Sequence, residues 1–307
     1  MSQETRQTAG PVLVTGGSGF IGRHLVSRLR ARGNEVIVLS RRASRVADRF
    51  GPGVRVIDSL DALPDDLVLD AIVNLAGAPI FGLPWTAGRR RVLRESRLRT
   101  TAAVVALCGR LLHKPKVLVS ASGVGFYGIG GAHVADETEP PQDIFQSQLC
   151  LDWELAARRA EAFGIRVVRL RFGIVLGKDG GALPPLALPL RLGVGTILGD
   201  GTQVLPWIHI EDALGLITQS LDDERMTGGV NAVAPHATSQ REFMQTLGRV
   251  LHRPVWLRVP AVVLHLMLGE MAQLFVEGRA IMPAAAQRLG YTFRHPRLEA
   301  ALAALFG

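Results

Sequence analysis

Residues Val12-Leu-Val-Thr-Gly-Gly-Ser-Gly-Phe-Ile-Gly22 decide the fold. A short β-prone run enters glycines at 16, 19 and 22, and apolar positions then recur three and four apart to residue 32. Strand, glycine turn and helix in that order make a dinucleotide phosphate loop. Gly16 permits the tight turn, Gly19 lets backbone approach a pyrophosphate, and Gly22 allows the helix to pack close on the strand. The helix N-terminus then presents free N–H groups and the positive end of its dipole to the phosphates. Thr15, Gly16, Gly17, Ser18, Gly19, Phe20, Ile21 and Gly22 form this expected site.

The same rhythm continues outward. Further apolar runs at 35–40, 54–57, 71–75, 116–120 and 166–171 read as strands buried on both faces. Segments 86–112 and 146–163 carry helical periodicity. Alternation of this kind predicts an α/β fold, a Rossmann-type doubly wound parallel sheet with right-handed crossovers. After residue 171 glycine and proline crowd the chain; a run at 204–210 leads into a helix near Glu211, and 230–233 reads as one more strand. The expected division is a nucleotide domain of 1–175 plus 205–234, with 176–204 plus 235–307 as a smaller, mostly helical lobe.

Cofactor choice is read at the end of the second strand. A site selective for NAD carries a carboxylate there for the ribose 2′-hydroxyl. This chain has Ser40-Arg41-Arg42, a hydroxyl and two guanidinium groups suited to a 2′-phosphate, so NADPH is expected over NADH. Asp58 after the third strand is placed for the adenine edge, and Asn74-Leu75-Ala76-Gly77 for the middle of the cofactor. Ser96 and Arg97 lie on the long helix bordering it, with Arg97 the basic residue best placed to touch a phosphate or an acidic substrate. Ser120 follows the fifth strand, and Arg171 leads the chain over the nicotinamide end.

Composition narrows the classes. The 307 residues are 48% hydrophobic and 20% charged, enough to bury a large core and too apolar for a disordered chain. No uncharged apolar stretch is long enough to span a bilayer, and the first ten residues are polar, so a cytoplasmic protein is expected. The net charge of +8 comes from scattered arginines without interleaved aromatics, which argues against nucleic acid and leaves a small-molecule substrate as the partner. Two cysteines and eight histidines without ligand spacing predict no disulfide framework and no metal. The sequence does not fix the oligomeric state, because an uncovered helix face reads the same as a covered one; a homodimer is one assembly it allows.

TGGSGFIG, NLAG, SASGVGFYG, LRFGIVLGKDGGAL and LPWIHIEDAL resemble the extended short-chain dehydrogenase/reductase superfamily. With LGEMA at 268–272 and LGYTFRHPRLEAAL at 289–302, the chain is similar to its atypical NAD(P)-dependent epimerase/dehydratase-like "epimerase family" branch. The resemblance spans residues 11–305 and implies NADP binding, a C-terminal helical segment and a substrate cleft between the lobes. Most of that superfamily moves the substrate proton with a Tyr-x-x-x-Lys pair, which this chain lacks: Gly131 stands four residues after Tyr127, and His295 four after Tyr291. By resemblance Cys150 and Glu154 occupy the Tyr and Lys places, a substitution habitual in the branch. The candidate catalytic residues are therefore Ser122, Tyr127, Cys150 and Glu154, with Asp136 and Glu137 as loop acids or bases. Cys150 also reads as a small packing residue, Tyr127 as a structural ring and Asp212 as a helix cap. An oxidoreductase or epimerase-like enzyme with slow turnover is expected; an NADP(H)-binding sensor without turnover is the alternative.

Overall fold

The computed structural model describes residues 10–81, 84–131 and 133–307; the polar start at 1–9 lies outside them. In chain order the first half is β1 (Val12–Thr15), α1 (Phe20–Ala31), β2 (Val36–Leu39), α2 (Ala43–Phe50), β3 (Val54–Ile57), β4 (Ala71–Asn74), α3 (Ala87–Arg110), β5 (Val117–Gly123), α4 (Phe145–Arg158) and β6 (Arg166–Phe172). There follow β7 (Ile174–Gly177), β8 (Gly180–Gly181), α5 (Leu183–Arg191), β9 (Gly195–Leu198), β10 (Trp207–His209), α6 (Ile210–Asp222) and β11 (Gly228–Ala232). The C-terminal stretch holds α7 (Gln240–Val250), β12 (Val255–Val259), α8 (Ala261–Leu268), α9 (Gln273–Val276), α10 (Ala284–Arg288) and α11 (Leu298–Phe306).

Seven strands form one parallel sheet in the order β11-β6-β5-β4-β1-β2-β3. Successive side chains of a strand point to opposite faces, so β1 feeds two cores. Val12 and Val14 pack with Leu25 and Leu29 of α1 and Ala213 and Ile217 of α6. Leu13 packs on the other face with Ile72, Leu118, and Val104, Leu107 and Cys108 of α3. Each such fully buried side chain is worth about 1.5–3 kcal/mol, and this burial on both faces is why the strands read as unbroken apolar runs.

The chain winds outward from β1 to β3, then returns to β4 on the other side of β1. That reversal is a topological switch point, where open α/β sheets bind ligands beyond the strand ends. Two smaller sheets, β10-β7-β8 and β12-β9, lie outside the main one. A third core, with Trp207, Phe243, Leu247 and Leu302, joins α5, α7 and α11.

Asp212 does not cap α6. The cap is His209, whose Nδ1 accepts from the Glu211 backbone N–H at 3.1 Å. Asp212 instead accepts from the backbone N–H groups of Arg294 and His295, at 2.8 and 2.9 Å, and so ties the C-terminal segment to α6.

The glycine turn works by contact. A Cβ on Gly22 would lie 2.2 Å from the Gly16 carbonyl oxygen, so α1 can rest on the loop only without one. Gly22→Ala should destabilise the chain by about 2–3 kcal/mol through overpacking, read as a lower urea midpoint. An unchanged midpoint would contradict the contact.

Candidate active site

The phosphate loop leaves β1 with Gly16 at φ +68°, a left-handed conformation that places its Cα against the Leu75 backbone leaving β4. Gly19 precedes α1 with no side-chain cap, and the first turn holds no acidic residue, so the leading N–H groups of α1 are unclaimed by side chains. A Cβ on Gly19 would approach only the Gly16 carbonyl, at 3.2 Å. Ser18 and Gly19 are exposed, while Gly17 is packed on Val38 of β2. An uncapped helix end beneath an open glycine fits a pyrophosphate. Phe20 turns away, its ring against Gly177, Gly180 and Gly181 of the β7–β8 hairpin. Ile21 is half-buried against the first core.

Behind the loop, side chains stitch the strand ends together. Thr15 Oγ1 donates to Asn74 Oδ1 at 2.6 Å and accepts from the Ala76 N–H at 3.2 Å. Asn74 Nδ2 donates to Thr101 Oγ1 at 2.9 Å and to Ser120 Oγ at 3.3 Å. Thr15, Asn74 and Ser120 are thereby committed to one another, while Leu75 and Ala76 are half-buried behind them and Gly77 is exposed. Ser96 Oγ accepts from the Ala78 N–H at 3.0 Å, which holds this loop on α3.

At the end of β2, Ser40 is buried and its Oγ accepts from the Arg42 N–H at 3.3 Å. Arg41 and Arg42 are exposed and form no ion pair among the described residues. Arg45, exposed in the first turn of α2, adds a third guanidinium that sequence reasoning passed over because no helix was read there. Asp58 is exposed directly after β3.

Beyond β5 the candidate catalytic residues share one buried network. Ser122 Oγ donates to Glu154 Oε1 at 2.8 Å. Arg171 grips the same carboxylate with both prongs, Nε to Oε1 at 2.8 Å and Nη2 to Oε2 at 3.0 Å. Its Nη1 donates to Tyr127 Oη at 2.7 Å, and Tyr127 donates to Asn231 Oδ1 on β11 at 2.6 Å. Glu154 is 2% exposed, Arg171 4% and Tyr127 0%. Burial alone would depress the Arg171 guanidinium, but the Glu154 carboxylate outweighs it and holds the pKa above its ordinary value. Arg171 also lies over the face of Phe126, 3.5 Å from the ring centroid. Arg169 reaches Glu154 from its other side at 3.3 Å.

These surroundings set what each group can do. Burial pushes the Tyr127 phenol up to about 12 despite Arg171. Burial and the Glu154 charge push the Cys150 thiol up to about 11. Both keep their protons at neutral pH. Glu137 accepts from the Asn231 N–H at 3.0 Å and the Ala285 N–H at 3.1 Å, and so anchors α10 rather than entering the crevice. Asp136 accepts from the backbone and hydroxyl of Thr138. Sequence reasoning missed Asn231, Phe126 and Arg169; no spacing signals them, since each joins the network from a different element.

One further group, His209, Glu211 and His295, places a ligand atom from each within 4.8 Å of the others. Because His209 Nδ1 accepts a backbone N–H, the neutral ring carries its proton on Nε2 and has no lone pair left for a cation. The ring is a cap.

This fold and crevice define a dinucleotide-binding protein of the extended short-chain dehydrogenase/reductase type. The chain belongs to the NAD dependent epimerase/dehydratase family, whose model matches residues 12–232, and residues 259–305 match a domain of unknown function, DUF1731. It is 37% identical over 296 residues to epimerase family protein YfhF of Bacillus subtilis, covering 96% of this chain and 97% of that one. The crystal structure of human epimerase family protein SDR39U1 with NADPH superposes with a TM-score of 0.86 at 37% identity, covering 96% of this chain and 98% of that one. A nucleoside-diphosphate sugar epimerase from Corynebacterium glutamicum aligns at TM-score 0.77 and 31% identity, covering 97% of this chain and 58% of that one. No helix among the described residues is long and apolar enough to cross a membrane.

Two measurements probe the site. Glu154→Ala strands a buried guanidinium and should cost about 3–5 kcal/mol, part of which Arg171→Met in the same chain should restore; a loss under about 1 kcal/mol would show the pair to be idle. Folded His209 titrates at about 4 against an ordinary 6.5, chiefly because burial disfavours its charge. The unfolded chain therefore takes up this proton first, and stability falls as pH drops from about 6.5 to about 4. His209→Asn, which keeps a side-chain cap, should remove roughly 2–3 kcal/mol of that pH dependence, and an unaltered slope would refute the assignment.

Proposed function

We propose that this protein is an NADP(H)-dependent oxidoreductase or epimerase-like enzyme for a small molecule, preferring NADPH to NADH. The observation that carries this reading is the end of β2, where exposed, unpaired Arg41 and Arg42 stand beside Ser40 in the place of an acidic ribose clamp. The NADPH in the human relative's structure supports it. The α1 N-terminus and the Gly16–Gly22 backbone would take the pyrophosphate, and the Leu75–Gly77 backbone the middle of the cofactor. Bound NADPH supplies a hydride. The protein's own share is to hold a substrate hydroxyl at the exit of β5, where Ser122, its proton donated to Glu154, is left as an acceptor. With the phenol and thiol firmly protonated, turnover on ordinary superfamily substrates is slow.

A second reading, an NADP(H)-binding sensor without turnover, draws on a different observation: Tyr127 and Glu154 are consumed in a buried network instead of facing substrate. A cytoplasmic location belongs to the proposal and rests on two buried, unpaired cysteines, which suit a reducing compartment.

Calorimetry with both cofactors tests the central claim. NADPH should bind roughly ten- to a hundred-fold more tightly than NADH, and Arg41→Ala with Arg42→Ala should erase most of the difference. Equal affinity in the wild type refutes the preference.

A further inference from the structure

Arg97 is the least explained charge in the molecule. It is 9% exposed, yet no carboxylate pairs with it among the described residues. Its Nη1 donates to the Leu93 carbonyl of its own helix at 3.0 Å, and no other hydrogen bond from its side chain is found among the described residues. A guanidinium has five N–H donors, and none of the Arg97 nitrogens is among the fully sealed atoms without a partner, so its remaining donors reach solvent and are open to a ligand. Arg171, the other deeply buried arginine of the site, has three hydrogen bonds to Glu154 and Tyr127 by comparison.

Its position is informative. The guanidinium lies under the loop leaving β4: a Cβ on Gly77 would sit 3.3 Å from Arg97 Cζ. It stacks 5.0 Å from the centroid of the Trp153 indole on α4. Cys150, one turn before Glu154 on the same helix, is close enough for the Arg97 charge to pull on its thiol. Cys150 Sγ in turn lies 3.7 Å from the Cβ position of Gly123, at the exit of β5. Arg97 therefore lies against the loop leaving β4, and Cys150 links it to the exit of β5. One turn earlier on α4, Gln146 is 4% exposed and its Oε1 has no hydrogen-bond partner. It faces Gly125 beside Cys150.

We propose that Arg97 receives a compact oxyanion of the substrate, a carboxylate or a phosphate, with Gln146 as the neighbouring polar contact, so that the molecule reduced or epimerised is an acid. This rests on the reading of the crevice as an NADP(H) site. Arg97 meets a planar oxyanion with paired N–H donors. Burial, which lowers its pKa, makes it a cation short of partners until such a group arrives. Its contact with the Trp153 ring holds the guanidinium in place in advance.

The test titrates inorganic phosphate and acetate into protein saturated with NADP+, read by calorimetry and by tryptophan emission. Saturable binding that shifts the Trp153 signal is expected, and Arg97→Gln should weaken it roughly ten- to a hundred-fold while NADPH affinity stays within about twofold. Arg97→Lys should retain part of the binding. Trp153→Phe should lose the optical signal but keep the calorimetric one. Arg97→Gln should unfold at the same or a higher urea concentration than the wild type, because it removes an unpaired buried charge. The proposal is overturned if neither anion saturates, if Arg97→Gln binds them as the wild type does, or if it weakens NADPH as much as the anions, which would give Arg97 to the cofactor. Failure of the wild type to bind NADPH would instead refute the cofactor reading, and Arg97-dependent anion binding by the cofactor-free protein would then still uphold the oxyanion site.

Discussion

Glu154 and Arg171 are buried together, and the half of the sheet beyond β5 is arranged around them. The pair joins α4 to β6, and through Tyr127 and Asn231 it reaches β11 at the sheet edge. Asn231 continues the chain of contacts, donating from Nδ2 to the Met282 carbonyl at 2.9 Å. Two ions out of water are tolerable only when each remaining lone pair and proton is met. Here Glu154 accepts from Ser122, Arg169 and Arg171, and Arg171 is further stacked on Phe126. An ammonium in place of the Glu154 carboxylate would set a second cation against the Arg171 guanidinium and strip it of its partner.

The other half of the crevice is built differently. Around β1, β4 and β2 the working surface is backbone, exposed by glycines at the switch point and by an uncapped helix end. Side chains there, Thr15, Asn74 and Ser120, bond to one another and hold the strand ends in register. A phosphate-rich cofactor needs close approach and N–H groups, whereas a reacting substrate needs placed side chains. Arg97 lies on the boundary between these two regimes, which is why its want of a carboxylate partner among the described residues stands out.

Much of this was legible in the sequence because the determinants are local. The 12–22 stretch carries its strand, turn and helix within eleven residues, and strands buried on both faces announce themselves as apolar runs. The end of β2 is likewise three consecutive residues, which the structure leaves with Ser40 buried and Arg41 and Arg42 exposed. Helix caps were harder: the sequence reads Asp212 as the cap, and only the fold shows that Asp212 is taken by Arg294 and His295, about eighty residues on. β12, a short strand among helices, shows no apolar run because it pairs only with β9 and keeps Trp256 and Arg258 exposed.

Sequence alone determined the glycine loop, the parallel sheet, the run of arginines after β2 and the missing dyad, since each depends on residue type at short spacing. Tertiary structure alone decided what Tyr127, Cys150 and Glu154 are. Tyr127 meets Arg171 and Asn231 across 44 and 104 residues. A side chain's protonation and reach are set by its desolvation and by the charges folded against it, neither of which is written in its neighbours along the chain.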